Sequence, residues 1–416
     1  MNLILKKEKN SSKALIKKCS PSLLAVAYVI SRIIFFFKGV RVKYVSKVGK
    51  KIESPSIVLC NHGSFIDFAY AGSLIRRNGP NFIVARLYFY KKNLSKLLRK
   101  FGCFPKSMFA SDLESAKTCL RVLRSGNVLA MMPEARLSTV GRFEDIQPGT
   151  YAFLKKMNVP VYTVKISGDY LADPKWGDGL RRGSLIEAEL DILFTAEDLA
   201  ELTPEEIGNR VEERLYYDEF EWLKTRPYVS YRSKTLAEGL QNILIRCPVC
   251  GEKYTLSTKG HDVICESCGM KASVDGRYEF PSDFKFKNFA EWYEYQKEEI
   301  KNAILTDPDY SLSSNVEFCL PSLDGKTMIR KAGDGVCTLD RQGLLYKGTK
   351  GGEEYELSVP IDRIYRLLFG AGENFEIYIG KEIYYFRPED RRSAVEWYIA
   401  SSVLVDEYAK IGANQQ

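Results

Sequence analysis

The chain carries two histidines, His62 and His261. His62 lies in Asn61-His62-Gly63-Ser64-Phe65-Ile66-Asp67, directly after the apolar run Ser56-Ile57-Val58-Leu59-Cys60. An aspartate five positions on, near the first turn of a helix expected over 65–78, can reach back to one imidazole nitrogen. It would fix the tautomer and stabilise the imidazolium, leaving the other nitrogen free to take a proton at neutral pH. A loop histidine with a structural hydrogen bond is the alternative, and local residues leave both open. A second apolar run, 128–132, ends in Pro133-Glu134-Ala135-Arg136. An acid and a base there also sit where open α/β sheets bind ligands, at a strand's carboxyl end.

Cys247-Pro248-Val249-Cys250 and Cys265-Glu266-Ser267-Cys268 are two Cys-x-x-Cys turns fourteen residues apart. Four thiolates so spaced can enclose a tetrahedral zinc, with no position left open for catalysis. Cys247, Cys250, Cys265 and Cys268 are therefore expected to hold a structural zinc, in a unit that resembles a zinc ribbon. His261 is read as a loop residue and not a fifth ligand. The lysines and arginines around the ribbon are matched by acids, so no nucleic-acid partner is expected. The other six cysteines read as reduced core thiols.

Strands at 56–60, 81–85, 128–132, 159–166 and 185–194 alternate with helices, which implies an α/β layer architecture. Ser111 and Glu114 have capping-box spacing ahead of a helix whose apolar residues recur at 3-4-3, and Gly126 ends it. Thr203-Pro204-Glu205-Glu206 starts another helix. After the cysteines, short strands are expected at 314–319, 326–331, 335–340, 343–348, 353–359, 373–379 and 382–387, with 361–369 ambiguous. A final helix over 389–409 would place Trp397, Ala400, Leu404 and Tyr408 on one face. That order resembles a pleckstrin-homology-like barrel. The expected organisation is an arm at 1–50, an α/β domain at 51–235, a zinc ribbon at 240–282, a helical linker at 283–306 and a β-rich domain at 310–416 closed by a helix.

With 416 residues, 45% hydrophobic and 27% charged, the chain is neither disordered nor fibrous. Two histidines exclude any three-histidine metal site. Of 61 Lys/Arg and 53 Asp/Glu, thirteen and one lie in residues 1–51. The arm thus carries +12 and the remainder −4, which points the arm at a phosphate-bearing surface. Lys6, Lys7, Lys9, Lys13, Lys17 and Lys18 precede the apolar stretch 21–37, and Lys38, Arg41 and Lys43 follow it. A helix of about 17 residues spans about 25 Å, short of a hydrocarbon core of about 30 Å. Arg32 interrupts it, and no cleavage site follows it. Membrane association is expected at the cytoplasmic face, as an in-plane anchor or a short span.

His62 to Asp67 matches the histidine-four-residues-aspartate motif of the phospholipid/glycerol acyltransferases, the family of 1-acylglycerol-3-phosphate acyltransferases. Phe101-Gly102-Cys103-Phe104-Pro105-Lys106, Pro133-Glu134-Ala135-Arg136 and Val159-Pro160-Val161 resemble its second, third and fourth blocks in order. The resemblance covers about residues 25–220 and implies transfer of a fatty acyl group from acyl-CoA or acyl-carrier protein to a lysophospholipid hydroxyl. Membrane phospholipids and the acyl donor would be the partners, and 1-acylglycerol-3-phosphate the first acceptor to consider. His62 would be the base and Asp67 its orienting acid. Asn61, Glu134, Arg136 and Lys106 would bind substrate. The third block usually reads Glu-Gly-Thr-Arg; here Ala135 replaces the glycine, Leu137 stands at the usual arginine, and Arg136 comes one place early. Lys106 stands near the second block's usual phosphate-binding arginine, and Arg142 and Lys165 are spare cations. These departures keep a second reading open, a decayed lipid-binding scaffold that recruits partners through the ribbon and the C-terminal module.

Overall fold

The computed structural model describes residues 18–413, so Lys6, Lys7, Lys9, Lys13 and Lys17 of the basic arm lie outside the described residues. Helix α1, Pro21–Lys38, starts on a proline and stops at Gly39, whose φ of 67° turns its N–H back onto the Phe35 and Phe36 carbonyls. Then follow β1 (Arg41–Ser46), β2 (Ser56–Cys60), α2 (Asp67–Ile75), β3 (Asn81–Ala85), α3 (Lys92–Lys100), β4 (Phe104–Lys106), α4 (Leu113–Arg124) and β5 (Val128–Met131). Next come α5 (Gly149–Met157), β6 (Val161–Ser167), α6 (Asp169–Ala172), β7 (Leu185–Phe194), α7 (Ala196–Glu201), α8 (Pro204–Leu215) and α9 (Glu219–Lys224).

The first sheet runs β1-β7-β6-β2-β5-β3-β4. Its neighbours are parallel except β6 and β7. All five residues of β2 are buried, as expected for an apolar strand covered on both faces. Strands β5 and β6 flank β2 in parallel, so the chain leaves all three at the same edge of the sheet.

The expected cap pairing of Ser111 with Glu114 is corrected by one residue. Asp112 caps α4, taking the Ser115 N–H on Oδ1 while Oδ2 pairs with Arg86 at 2.7 Å. A carboxylate already held by a guanidinium is the better acceptor for that N–H. The Thr203–Glu206 capping box forms as expected.

Strands β8 (Leu256–Lys259), β9 (Asp262–Cys265) and β10 (Lys271–Ser273) make a small antiparallel sheet, followed by α10 (Phe289–Thr306). The C-terminal strands are β11 (Leu312–Pro321), β12 (Ile329–Asp340), β13 (Gly343–Lys350), β14 (Glu353–Pro360), β15 (Leu368–Gly370), β16 (Asn374–Ile379) and β17 (Glu382–Pro388), closed by α11 (Ala394–Ala413). They form one antiparallel sheet in the order β14-β13-β12-β11-β17-β16-β15.

The two strands expected at 326–331 and 335–340 are the single strand β12. Gly333 and Gly335 read as a turn, but they sit where a Cβ would collide with the backbone of β13, so they let the strands approach. The ambiguous 361–369 segment is a 3₁₀ turn followed by the start of β15. On α11, Trp397, Ala400 and Leu404 are buried as expected, with Trp397 stacked on Phe375 at 4.2 Å. Tyr408 is 47% exposed, because the apolar face ends before the last turns of the helix.

The ribbon is wedged between its neighbours. Arg277 donates to the carbonyls of Leu223, Arg226 and Val229 on one side. Trp292 on α10 donates to the Arg246 carbonyl, and Lys253 pairs with the buried Glu396 of α11. An apolar core continues through all of these contacts.

Candidate active site

Asn61 follows the last residue of β2 and is fully buried. Its Nδ2 donates to the Ile166 carbonyl at 2.9 Å, and its Oδ1 accepts from the Ile166 N–H at 2.7 Å. One Nδ2 hydrogen and one Oδ1 lone pair are thus spent fastening the end of β2 to the end of β6.

That fastening sets the backbone of His62. Its Nδ1 lies 2.9 Å from Asp67 Oδ2, and both Asp67 oxygens accept from the Ser64 N–H at 3.1 Å. The aspartate is completely buried, while the imidazole keeps 24% of its side-chain surface. No hydrogen bond engages His62 Nε2 among the described residues. Burial, and after it the Lys175 charge, holds the imidazole below the ordinary histidine range. Burial pushes the Asp67 carboxyl up to about 8, against hydrogen bonds from Asp169 and Ser64 that favour its anion. The two titrations belong to the pair, which holds a shared extra proton below about pH 8 and releases it above.

Glu134 leaves the end of β5 and is fully buried. Its Oε1 accepts the His62 N–H at 2.8 Å, and its Oε2 accepts the Glu144 N–H at 2.9 Å. The glutamate therefore clamps the histidine loop to the loop after β5. Next to it, Ala135 adopts φ 57°, the left-handed region that favours glycine.

Arg136 is 8% exposed and directs Nε and Nη2 at Glu144 Oε2, 3.1 and 2.9 Å away. Its guanidinium also lies over the rings of Phe109 and Tyr398, and the Tyr398 hydroxyl donates to the same Glu144 oxygen at 3.2 Å. Tyr398 belongs to α11, so the C-terminal module reaches the neighbourhood of the site. Lys106 ends β4, and burial draws its ammonium below the usual range. No hydrogen bond or ion pair among the described residues joins it to His62 or Glu134. Arg142 is paired with Asp218 at 2.8 Å.

Sequence reasoning missed Glu144, Asp169, Lys175 and Tyr398. Lys175 places Nζ 3.6 Å from the Phe369 ring centroid of β15, and burial lowers its pKa to about 7. Its loop meets the histidine loop where the Ser64 hydroxyl donates to Asp173 at 3.2 Å. Asp169 directly follows Ser167-Gly168 at the end of β6, so the strand-end rule would have flagged it. No local pattern marks the other three.

Residues 40–167 match the family model described as acyltransferase. The acyltransferase domain so identified contains His62, Asp67, Lys106, Glu134 and Arg136. No curated protein matches the chain. Among solved structures, the crystal structure of the 1-acyl-sn-glycerophosphate (LPA) acyltransferase PlsC from Thermotoga maritima covers 46% of this chain and 76% of its own. The two are 18% identical with a TM-score of 0.39, a likeness too loose to carry an argument.

The sulfurs of Cys247, Cys250, Cys265 and Cys268 lie within 4.8 Å of one another and could hold a metal ion. The Cys247–Cys268 and Cys250–Cys265 distances are both 3.7 Å. Tetrahedral ligation with metal–sulfur bonds of about 2.3 Å requires sulfurs about 3.8 Å apart, so the four thiols fit such a centre. His261 instead bonds the Ser233 carbonyl.

Glu134→Gln tests the clamp. A glutamine amide can accept only one of the two backbone N–H groups and turns its own N–H₂ on the other. The expected loss is about 1–3 kcal/mol of stability, read as a lower urea midpoint.

Proposed function

We propose that the protein transfers a fatty acyl group from an acyl thioester, acyl-CoA or acyl-carrier protein, to the hydroxyl of a lysophospholipid, with 1-acylglycerol-3-phosphate the first acceptor to test. The observation that carries this reading is the His62–Asp67 hydrogen bond, inside a domain matched to the acyltransferase family, with Nε2 unengaged.

In this mechanism Asp67 accepts a hydrogen bond from the Nδ1–H of His62, which leaves the Nε2 lone pair as base. The acceptor hydroxyl attacks the thioester carbonyl as its proton passes to Nε2. The tetrahedral intermediate collapses, the C–S bond breaks, and the imidazolium returns the proton to the leaving thiolate. No acyl-enzyme forms. Asn61 and Glu134 act from behind, holding the histidine loop. Arg136 is engaged by Glu144, so Lys106 is the freer cation for the acceptor's phosphate, as a point charge and not a bidentate fork.

The membrane is the natural source of acceptor. Helix α1 is, among the described residues, the one helix long and apolar enough to span a bilayer. One side of it is docked, with Phe35 stacked on Tyr70 and Arg32 bonded to the Val42 carbonyl. Val29, Ile33, Phe36 and Phe37 are half or more exposed, as are Phe65 and Phe68 beside His62. A docked helix with an apolar outer face favours lying in the cytoplasmic headgroup layer over spanning. The proposed organisation keeps the expected arm, acyltransferase domain, ribbon, helical linker and β-rich domain, whose strand order and closing helix resemble a pleckstrin-homology-like barrel.

The metal is proposed to be zinc with a structural role, since four thiolates leave no open ligand position. One zinc per chain is expected by elemental analysis. Its removal by a chelator should lower the unfolding temperature, because the ribbon packs against both neighbouring units.

The activity is tested by thiol release from acyl-CoA and from acyl-carrier protein, with vesicles carrying a panel of lysophospholipids. Release that depends on an acceptor, with acylated lipid formed, is expected. Folded, metal-loaded protein that acylates no lysophospholipid would overturn the reading in favour of a scaffold, which the pinned Arg136 would suit.

A further inference from the structure

Behind the His62–Asp67 pair lies a third acid. Asp169 begins α6, immediately after β6, and is completely buried. It packs so tightly on the histidine loop that a Cβ at Gly63 would lie 2.5 Å from its Oδ2. The bond between Asn61 and Ile166 is what brings these two strand ends together.

The Asp169 oxygens receive no N–H or O–H donor; its own amide and that of Tyr170 miss hydrogen-bond geometry. The group they do meet is the carboxyl of Asp67. Two carboxylates in contact in a buried site cannot both ionise, so a proton must lie between them. Its place follows from the donors. Asp67 accepts from Ser64 N–H on both oxygens and from His62 Nδ1, all of which favour its anion. Asp169 has no such donors; Glu219, whose Oε1 is taken by the Gly168 N–H, faces Asp169 and Asp67 alike.

Other ionisable groups also face the pair, and the acids among them disfavour either anion. Glu134 faces Asp67. Tyr70, Tyr217, Tyr231 and Cys60 are held neutral by burial. The Lys175 charge bears on His62, whose imidazolium it disfavours.

We propose that Asp169 is a positioning residue for acyl transfer: its protonated carboxyl donates to Asp67, which keeps Asp67 an acceptor and the His62 proton on Nδ1. Without that donor Asp67 takes the proton itself, donates it to Nδ1, and leaves Nε2 protonated and useless as a base. The catalytic part of this rests on the acyl-transfer reading; the placement of the protons does not.

With two histidines in the chain, ¹⁵N-histidine NMR of the full-length, metal-loaded protein reads His62 without any substrate, and His261→Asn assigns the signals. Asp169→Asn keeps a donor; Asp169→Leu and Asp169→Ala do not, and Leu fills the space if Ala fails to fold. Wild type and Asp169→Asn should show the Nδ1–H tautomer once the pair's shared proton has left, near pH 8. The donor-free variants should move that step up by about one pH unit, populate Nε2–H, and shift the acid limb of kcat/KM by the same amount, about tenfold in rate at fixed pH. A donor-free variant with the wild-type tautomer and step, or Asp169→Asn behaving like Asp169→Leu, would overturn the proposal. If wild type acylates nothing, the acyl-transfer reading fails while the NMR still decides where the proton lies.

Discussion

Taking a carboxylate out of water is costly unless donors surround it, and the site depends on how this chain meets that constraint. Asp67, Glu134 and Asp169 are all buried at the ends of neighbouring strands. Each satisfies its oxygens differently: Asp67 with an imidazole and a backbone amide, Glu134 with two backbone amides, and Asp169 only through Asp67. Because Asp67 is held this rigidly, Nε2 of the part-exposed His62, which no hydrogen bond engages among the described residues, has a defined direction.

The scaffold supplies that rigidity from a distance. Parallel strands deliver three loops to one edge of the sheet, and Asn61 ties two of them in register. The later units then close on the same edge. Tyr398 bonds Glu144 and lies over Arg136, Arg366 pairs with Asp145, and Lys175 rests on Phe369. The ribbon braces this arrangement from behind, through Lys253 and Glu396 on one side and Arg277 on the other. The cations nearest the acyltransferase strand ends are therefore shared with the C-terminal module.

His62, Asp67 and Glu134 were legible because each stands within a few residues of an apolar strand, so local order is enough to place them. The four cysteines were legible for the same reason. The resemblance gives Asn61 and Glu134 a substrate role; their partners within the chain, Ile166 and the amides of His62 and Glu144, are long-range contacts that no local pattern encodes. Asp169 and Tyr398 become neighbours of the histidine and post-β5 loops only once distant segments meet. In the β-rich module, paired glycines in β12 read as a turn because close strand approach and chain reversal ask for the same residue. Ala135 turns through positive φ, a conformation that favours glycine, at the position where the family the chain resembles usually has glycine.

The proposed base is one imidazole, that of His62, held by a buried carboxylate. The direct measurement is acceptor-dependent acyl transfer by His62→Ala beside wild type, both metal-loaded and with equal unfolding temperatures. Loss of a positioned general base predicts a fall of about 10²–10⁴-fold in kcat. Transfer by the variant at the wild-type rate would rule out His62 as the base.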